Sequence, residues 1–105
     1  MTLKTFVFFD ADSTGTESNV MDSLERAEDM TLQVTGSGSI DLEVKGKADI
    51  NGDWETVAAI SMESFEVSES ITKNGVYCIP LRGFTRIKAV NSGDSGVKVY
   101  GRIMA

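Results

Sequence analysis

The sequence predicts an all-β domain, an antiparallel two-sheet β-sandwich of about eight strands, with a jelly roll among the connectivities it allows. Three observations predict it. Residues 40–50 alternate without a break, apolar or small at even positions and charged at odd ones, a period of two that puts one face in a core and the other in water. Turn-forming clusters recur along the chain, drawn from ten glycines and one proline, the punctuation of a sandwich or barrel. Helical spacing is a contender in one stretch alone, residues 19–29. The 105 residues suit one domain spanning 1–105 with a single core.

The elements follow in order. Leu3 to Phe9 reads as a strand with apolar side chains on both faces, one that is either sandwiched internally or covered by another chain. Residues 10–18 read as loop. In 19–29, Val20, Leu24 and Ala27 fit a helix while Val20, Leu24 and Met30 fit a strand, so both assignments stand. Met30 to Thr35 alternates cleanly and ends at Gly36-Ser37-Gly38-Ser39. After the 40–50 strand, Asn51-Gly52-Asp53 marks a tight hairpin, and Trp54 to Met62 returns antiparallel. Ser64 to Ser68 is a further short strand. Asn74-Gly75 turns the chain into Val76 to Leu81, Gly83 breaks the pattern, and Phe84 to Val90 is the penultimate strand. After the turn at 91–96, Val97 to Met104 closes the chain, with Lys98, Tyr100 and Arg102 sharing one face.

Composition excludes several function classes. Apolar residues make up 41% and charged residues 25%, ordinary for a globular domain. The longest apolar run, Phe6 to Phe9, falls far short of the ~20 residues that span a bilayer and lacks the flanks of a signal peptide. The expectation is a soluble chain, off the membrane and made in the cytoplasm. A net charge of −6 argues against nucleic acid as a partner. One cysteine and no histidine leave no internal disulfide, zinc cluster, Ser-His-Asp triad or Cys-His pair. Cys78, in an apolar strand pattern, reads as a small buried hydrophobe. Asp10 to Gly15 and Asp49 to Asp53 resemble oxygen-rich calcium loops, yet the twelfth positions of EF-hand loops starting there hold Met21 and Ile60, where an acid is needed. The expectation is a non-enzymatic protein with no cofactor and no metal.

What remains is binding. Residues 1–70 hold fifteen Asp and Glu against four Lys and Arg, whereas residues 71–105 hold six Lys and Arg against Asp94 alone. If the last two strands pair, Arg86, Lys88, Lys98 and Arg102 form one basic patch around Tyr100, suited to the acidic face of a neighbouring copy, such as Asp41 and Glu43. Apolar burial in that contact would come from Leu3, Phe6, Val7, Phe8 and Phe9, with residues 1–29 serving as an interaction arm. Trp54, Tyr77 and Tyr100 are the stacking platform of a rival reading, a carbohydrate-binding module; Trp54 reads more readily as core filler.

From residue 30 onward the pattern resembles small β-sandwich structural proteins of tailed bacteriophages and prophages. The features that carry it are Ile40 to Gly46 leading into Asn51-Gly52-Asp53-Trp54-Glu55-Thr56-Val57, then Ser70-Ile71-Thr72-Lys73-Asn74-Gly75-Val76-Tyr77, Phe84-Thr85-Arg86-Ile87-Lys88, and Gly96-Val97-Lys98-Val99-Tyr100-Gly101-Arg102. The resemblance implies a virion component, made in the bacterial host cytoplasm and needing no cofactor. Head decoration or cement, binding the major capsid protein or another virion protein, is the favoured role, and a tail or baseplate part the alternative. It also implies a symmetric homo-oligomer, with a trimer favoured.

Overall fold

The computed structural model describes residues 3–11, 16–22, 27–49, 51–81 and 83–104. Nine strands run through them: β1 (Leu3–Asp10), β2 (Asp29–Thr35), β3 (Leu42–Lys47), β4 (Glu55–Val57), β5 (Ala59–Ser61), β6 (Val67–Ser68), β7 (Gly75–Pro80), β8 (Arg86–Asn91) and β9 (Lys98–Met104). A six-stranded sheet has the order β1-β9-β2-β7-β5-β6 and a three-stranded sheet the order β4-β3-β8. All the pairings are antiparallel, giving the two-sheet sandwich that the alternation predicts. Among the described residues no helix is long and apolar enough to cross a membrane.

The alternating residues do what their period demands. Met30, Leu32 and Val34 of β2 point inward with Val99 and Ile103 of β9, and meet Leu42, Val44 and Ile87 of the small sheet in one cluster. Each such side chain is buried, and each contributes about 1.5–3 kcal/mol relative to exposure. Gly101 faces inward in the same row, where a Cβ would lie 2.6 Å from Met30 Sδ and 2.8 Å from Phe8 Cε2. Its missing side chain is the space that Phe8 fills.

The first strand departs from simple alternation. β1 is the edge of the large sheet and pairs with β9 from Leu3↔Met104 to Asp10↔Lys98, with a register shift between Val7 and Phe9. A bulge places one extra residue in the strand, and here it turns Phe8 and Phe9 together into the core. Phe6 is half-buried and stacks edge-on against Phe8, with centroids 4.8 Å apart. The strand therefore anchors the domain, and it offers Leu3 and Val7 outward.

Trp54 to Met62 is two strands rather than one, which raises the count above eight. β4 pairs with β3 in the small sheet, the chain bends at Ala58, and β5 pairs with β6 and β7 in the large one. Such corners, where a chain crosses between sheets, are how sandwiches close their sides. Val57 and Ala59 are both buried on either side of Ala58, so the alternation carries on through the crossing while the strand changes partners.

Turns and margins complete the frame. The hairpin expected at Asn51-Gly52 is a wider loop, because the β3–β4 ladder ends at Gly46↔Glu55. Asp49 organises it, accepting from Asn51 N at 2.9 Å through its side chain and from Gly52 N at 2.9 Å through its carbonyl. Ile50 lies outside the described residues. Residues 16–21, the end of the expected loop and the start of the stretch 19–29 left open between helix and strand, run extended along β8, with bridges Glu17↔Val90 and Met21↔Ile87; Leu24 lies outside the described residues. The loops 36–41 and 91–96 are laced together by Asp94 N to Ser39 O, Ser39 N to Asp94 Oδ2 and Ser92 N to Asp41 O. Gly93 sits where they touch, and a Cβ there would lie 2.6 Å from Ser39 O and 2.7 Å from Asp41 N.

Candidate interaction surfaces

The topology divides the expected basic patch. β8 lies in the small sheet and β9 in the large one, so Arg86 and Lys88 do not join Lys98, Tyr100 and Arg102. A different cluster forms instead. On the outward face of the small sheet, Lys45 stands directly opposite Lys88 and Lys47 opposite Arg86. Trp54 leans against it, half-buried, with Lys47 Nζ 4.7 Å and Lys88 Nζ 4.5 Å from its ring centroid. Trp54 is thus not core filler.

Like charges placed directly across a ladder are destabilising, so two such pairs side by side need compensation. Part comes from the Trp54 ring, at about 0.5–1 kcal/mol per exposed cation–π contact. Part comes from carboxylates: Glu43 bridges Lys45 at 3.0 Å and Glu17 pairs with Lys88. Lys45 Nζ also donates to Thr56 Oγ1 at 2.9 Å. The face carries four bases, two of them, Lys47 and Lys88, against the indole.

The outward face of the large sheet is mixed. Tyr100 sits between Val7 and Gln33, and Arg102 between Thr5 and Thr31, around a shallow depression. Lys98 lies between Asp10 and Thr35. Of the apolar residues expected at an interface, Leu3 at 60% and Val7 at 45% exposure remain accessible, whereas Phe8 and Phe9 belong to the core because of the bulge. Cys78 also faces outward here, half-exposed between Thr31 and Ile60, so it is not the buried hydrophobe expected. Burial of the thiol, then the nearby Asp29 charge, raises its pKa, which disfavours the reactive thiolate.

The third surface is the turn between β5 and β6. Phe65 is 71% exposed and has φ = +61°, a left-handed conformation that a bulky residue adopts at a cost of about 1–3 kcal/mol. The turn is nonetheless firmly built. Phe65 N donates to Ser61 O at 2.7 Å, Ser61 N to Glu66 O at 2.9 Å, and Met62 N to Val76 O at 2.9 Å. Ser61 Oγ accepts from Glu63 N and Ser64 N, both at 3.3 Å. Met62 and Val67 are exposed with Phe65, and Glu63, Glu66 and Glu69 stand between and beside them. Reading the sequence singled out none of this, because Ser64 to Ser68 alternates as any strand does. The signal it held was an acidic stretch, Glu63, Glu66 and Glu69 interleaved with Phe65 and Val67; that β6 is the edge strand among the described residues shows only in the sheet order.

The sugar-stacking platform does not assemble. Tyr77 is in the core with its hydroxyl donating to Lys73 O at 2.7 Å, Trp54 lies on the small sheet, and Tyr100 on the large one. Burial, then the Glu63 charge, pushes the Tyr77 pKa above its ordinary value, against the lowering effect of its hydrogen bond to Lys73. Among the described residues no three His, Cys, Asp or Glu side chains are grouped to hold a metal. Residues 12–15 of the first calcium-like loop lie outside the described set.

No protein-family profile matches the sequence, and no curated protein does. Two solved structures do match. The crystal structure of SPBc2 prophage-derived protein YomS aligns over 99% of this chain and 94% of YomS, with a TM-score of 0.86 and 18% identity. That of PBSX exported protein XepA aligns over 97% of this chain, with a TM-score of 0.86 and 15% identity. This chain spans only 37% of the XepA chain. With so few residues in common, what the likeness establishes is a shared fold, a small all-β sandwich that both structures contain.

Proposed function

We propose that this chain is a non-enzymatic structural component of a tailed-phage particle, acting as a head decoration or cement protein. The observation that carries the reading is the match along nearly the whole of both chains to a prophage-derived protein. It is supported by the sequence resemblance to phage structural sandwiches and by outward faces suited to protein contact. Three separate surfaces, one cationic with an aromatic centre, one mixed and one acidic with an apolar tip, suit a protein that touches several neighbours. In this role it binds the major capsid protein at joints between subunits, and a symmetric homo-oligomer, a trimer in the simplest case, delivers several such contacts at once.

Particle binding tests the reading. The purified chain is mixed with phage heads lacking it, and the heads are repurified on a density gradient. Saturable co-sedimentation at a fixed copy number per head, with a higher temperature for genome release, is the expected result. Recovery on tails alone would transfer the role to the tail or baseplate. No recovery on any particle would refute a virion role.

A further inference from the structure

The turn between β5 and β6 and the outward face of the small sheet are complementary and share no residue. The turn presents an exposed Phe65 on a hydrogen-bonded frame, flanked by Glu63, Glu66 and Glu69. Beside it is a crevice of about 180 Å³ bordered by Glu63, Glu66, Lys73, Val76 and Tyr77. The sheet face presents Trp54 among Lys45, Lys47, Arg86 and Lys88. Each is awkward alone: one holds a phenylalanine in water in a left-handed conformation, the other holds like charges directly opposed. Unfavourable local arrangements persist where the surroundings enforce them and tend to mark functional sites.

We propose that the turn at 61–69 of one copy docks on the Trp54 face of a second copy. Phe65 packs against the indole and the aliphatic stems of the lysines, which bury well while their heads stay polar. Glu63, Glu66 and Glu69 meet the cations, and the long side chain of Arg86 or Lys47 enters the crevice between Glu63 and Glu66. An aromatic anchor in the middle and charges around it is the usual anatomy of a contact whose energy is concentrated in few residues. Because the two surfaces differ, the contact propagates head to tail and closes into a ring, or is made twice about a two-fold axis. The proposal deepens the oligomeric part of the reading above and names the surfaces that would make it.

Charge exchange tests it. One variant carries Glu63→Lys and Glu66→Lys, the other Lys47→Glu and Arg86→Glu, and circular dichroism confirms that both fold. In sedimentation velocity at low salt, the parent is expected to associate. Each variant alone should associate at least tenfold more weakly, and an equimolar mixture should associate more strongly than either, since turns of one variant then find opposite faces on the other; two-fold pairs and even-numbered rings recover fully, and a three-membered ring keeps one mismatched contact. Phe65→Ser should weaken association at every salt concentration, while added salt weakens the parent. Variants that associate as strongly as the parent would overturn the proposal while leaving an oligomer built through another surface. A parent that stays monomeric but loses head binding on Phe65→Ser would also overturn it, giving the turn to another virion protein. Failure of all head binding, by contrast, bears on the virion role and not on this contact.

Discussion

Substituting Gly101 by alanine measures how tightly β1, β9 and β2 pack. The new Cβ would meet Met30 Sδ at 2.6 Å and Phe8 Cε2 at 2.8 Å, both well inside van der Waals contact. Phe8 is a rigid ring, so its edge moves only if the whole strand shifts. Met30 is flexible but has 0% exposure, leaving its thioether little room to swing. Forcing a methyl into such a core costs about 1–3 kcal/mol. Against that, removing a glycine from a strand regains about 0.5–1 kcal/mol of conformational entropy. The net expectation is a loss of about 0.5–2 kcal/mol, which lowers the urea midpoint by roughly 0.25–1 M at an m-value of about 2 kcal/mol/M. Equilibrium urea unfolding followed by circular dichroism reads it. In a Phe8→Leu background the same substitution should cost less than about 0.5 kcal/mol, because the ring edge has gone and neighbouring sites couple. A Gly101→Ala protein as stable as the parent, or no coupling to Phe8, would refute the packing described at the bulge.

Other outcomes follow from the same geometry. Gly93→Ala drives a methyl into the backbone of Ser39 and Asp41, where no rotamer can yield, so its melting temperature should fall further than that of Gly101→Ala, by about 10 °C or more in differential scanning calorimetry. Trp54 fluorescence should be quenched more by iodide than by caesium, since Lys47 and Lys88 gather anions at the ring; equal quenching would remove the cations from it. In a Tyr100→Phe protein, phenolate absorbance should report Tyr77 titrating above the ordinary tyrosine value of 10.0. A folded pKa raised above the unfolded one means that stability from this group is complete below pH 10.0 and is lost as pH climbs through the folded value; with Cys78→Ser added to remove the thiol whose raised pKa acts the same way from pH 9.0 upward, the unfolding midpoint should be level up to pH 10.0 and fall beyond it.

Local pattern carried most of the architecture, and pairing carried most of the surprises. The alternation at 30–35, 42–47 and 97–104 was readable because each run keeps one period against one core, although the strand expected over 40–50 holds only from Leu42 to Lys47 and leaves Ala48 exposed; the faces assigned to Lys98, Tyr100 and Arg102 are the faces they occupy. Which strand lies beside which depends on contacts between distant segments, and adjacency in sequence misled twice. β8 and β9 are consecutive yet belong to different sheets, which divided the expected basic patch. Lys45 and Lys47, read simply as the wet side of a strand, became half of the cationic face once β8 lay opposite β3. The bulge that sends Phe8 and Phe9 inward leaves no mark in composition, because a run of four apolar residues fits either face. Phe65 was illegible for another reason: positive φ is a property of the turn frame, set by Ser61, and nothing in the residue itself announces it.

The pairing of β1 with β9 also governs when the domain can form. As the chain leaves the ribosome, its first strand appears long before the partner it needs, since β9 is the last of the nine strands. Until then Phe8 and Phe9 have no sheet to complete and no Gly101 beneath them. Contacts this distant in sequence are slow to find, and exposed apolar strands are liable to misassociate while they wait. The large sheet therefore closes only once β9 has been made, and until then the first strand is the segment most liable to misassociate.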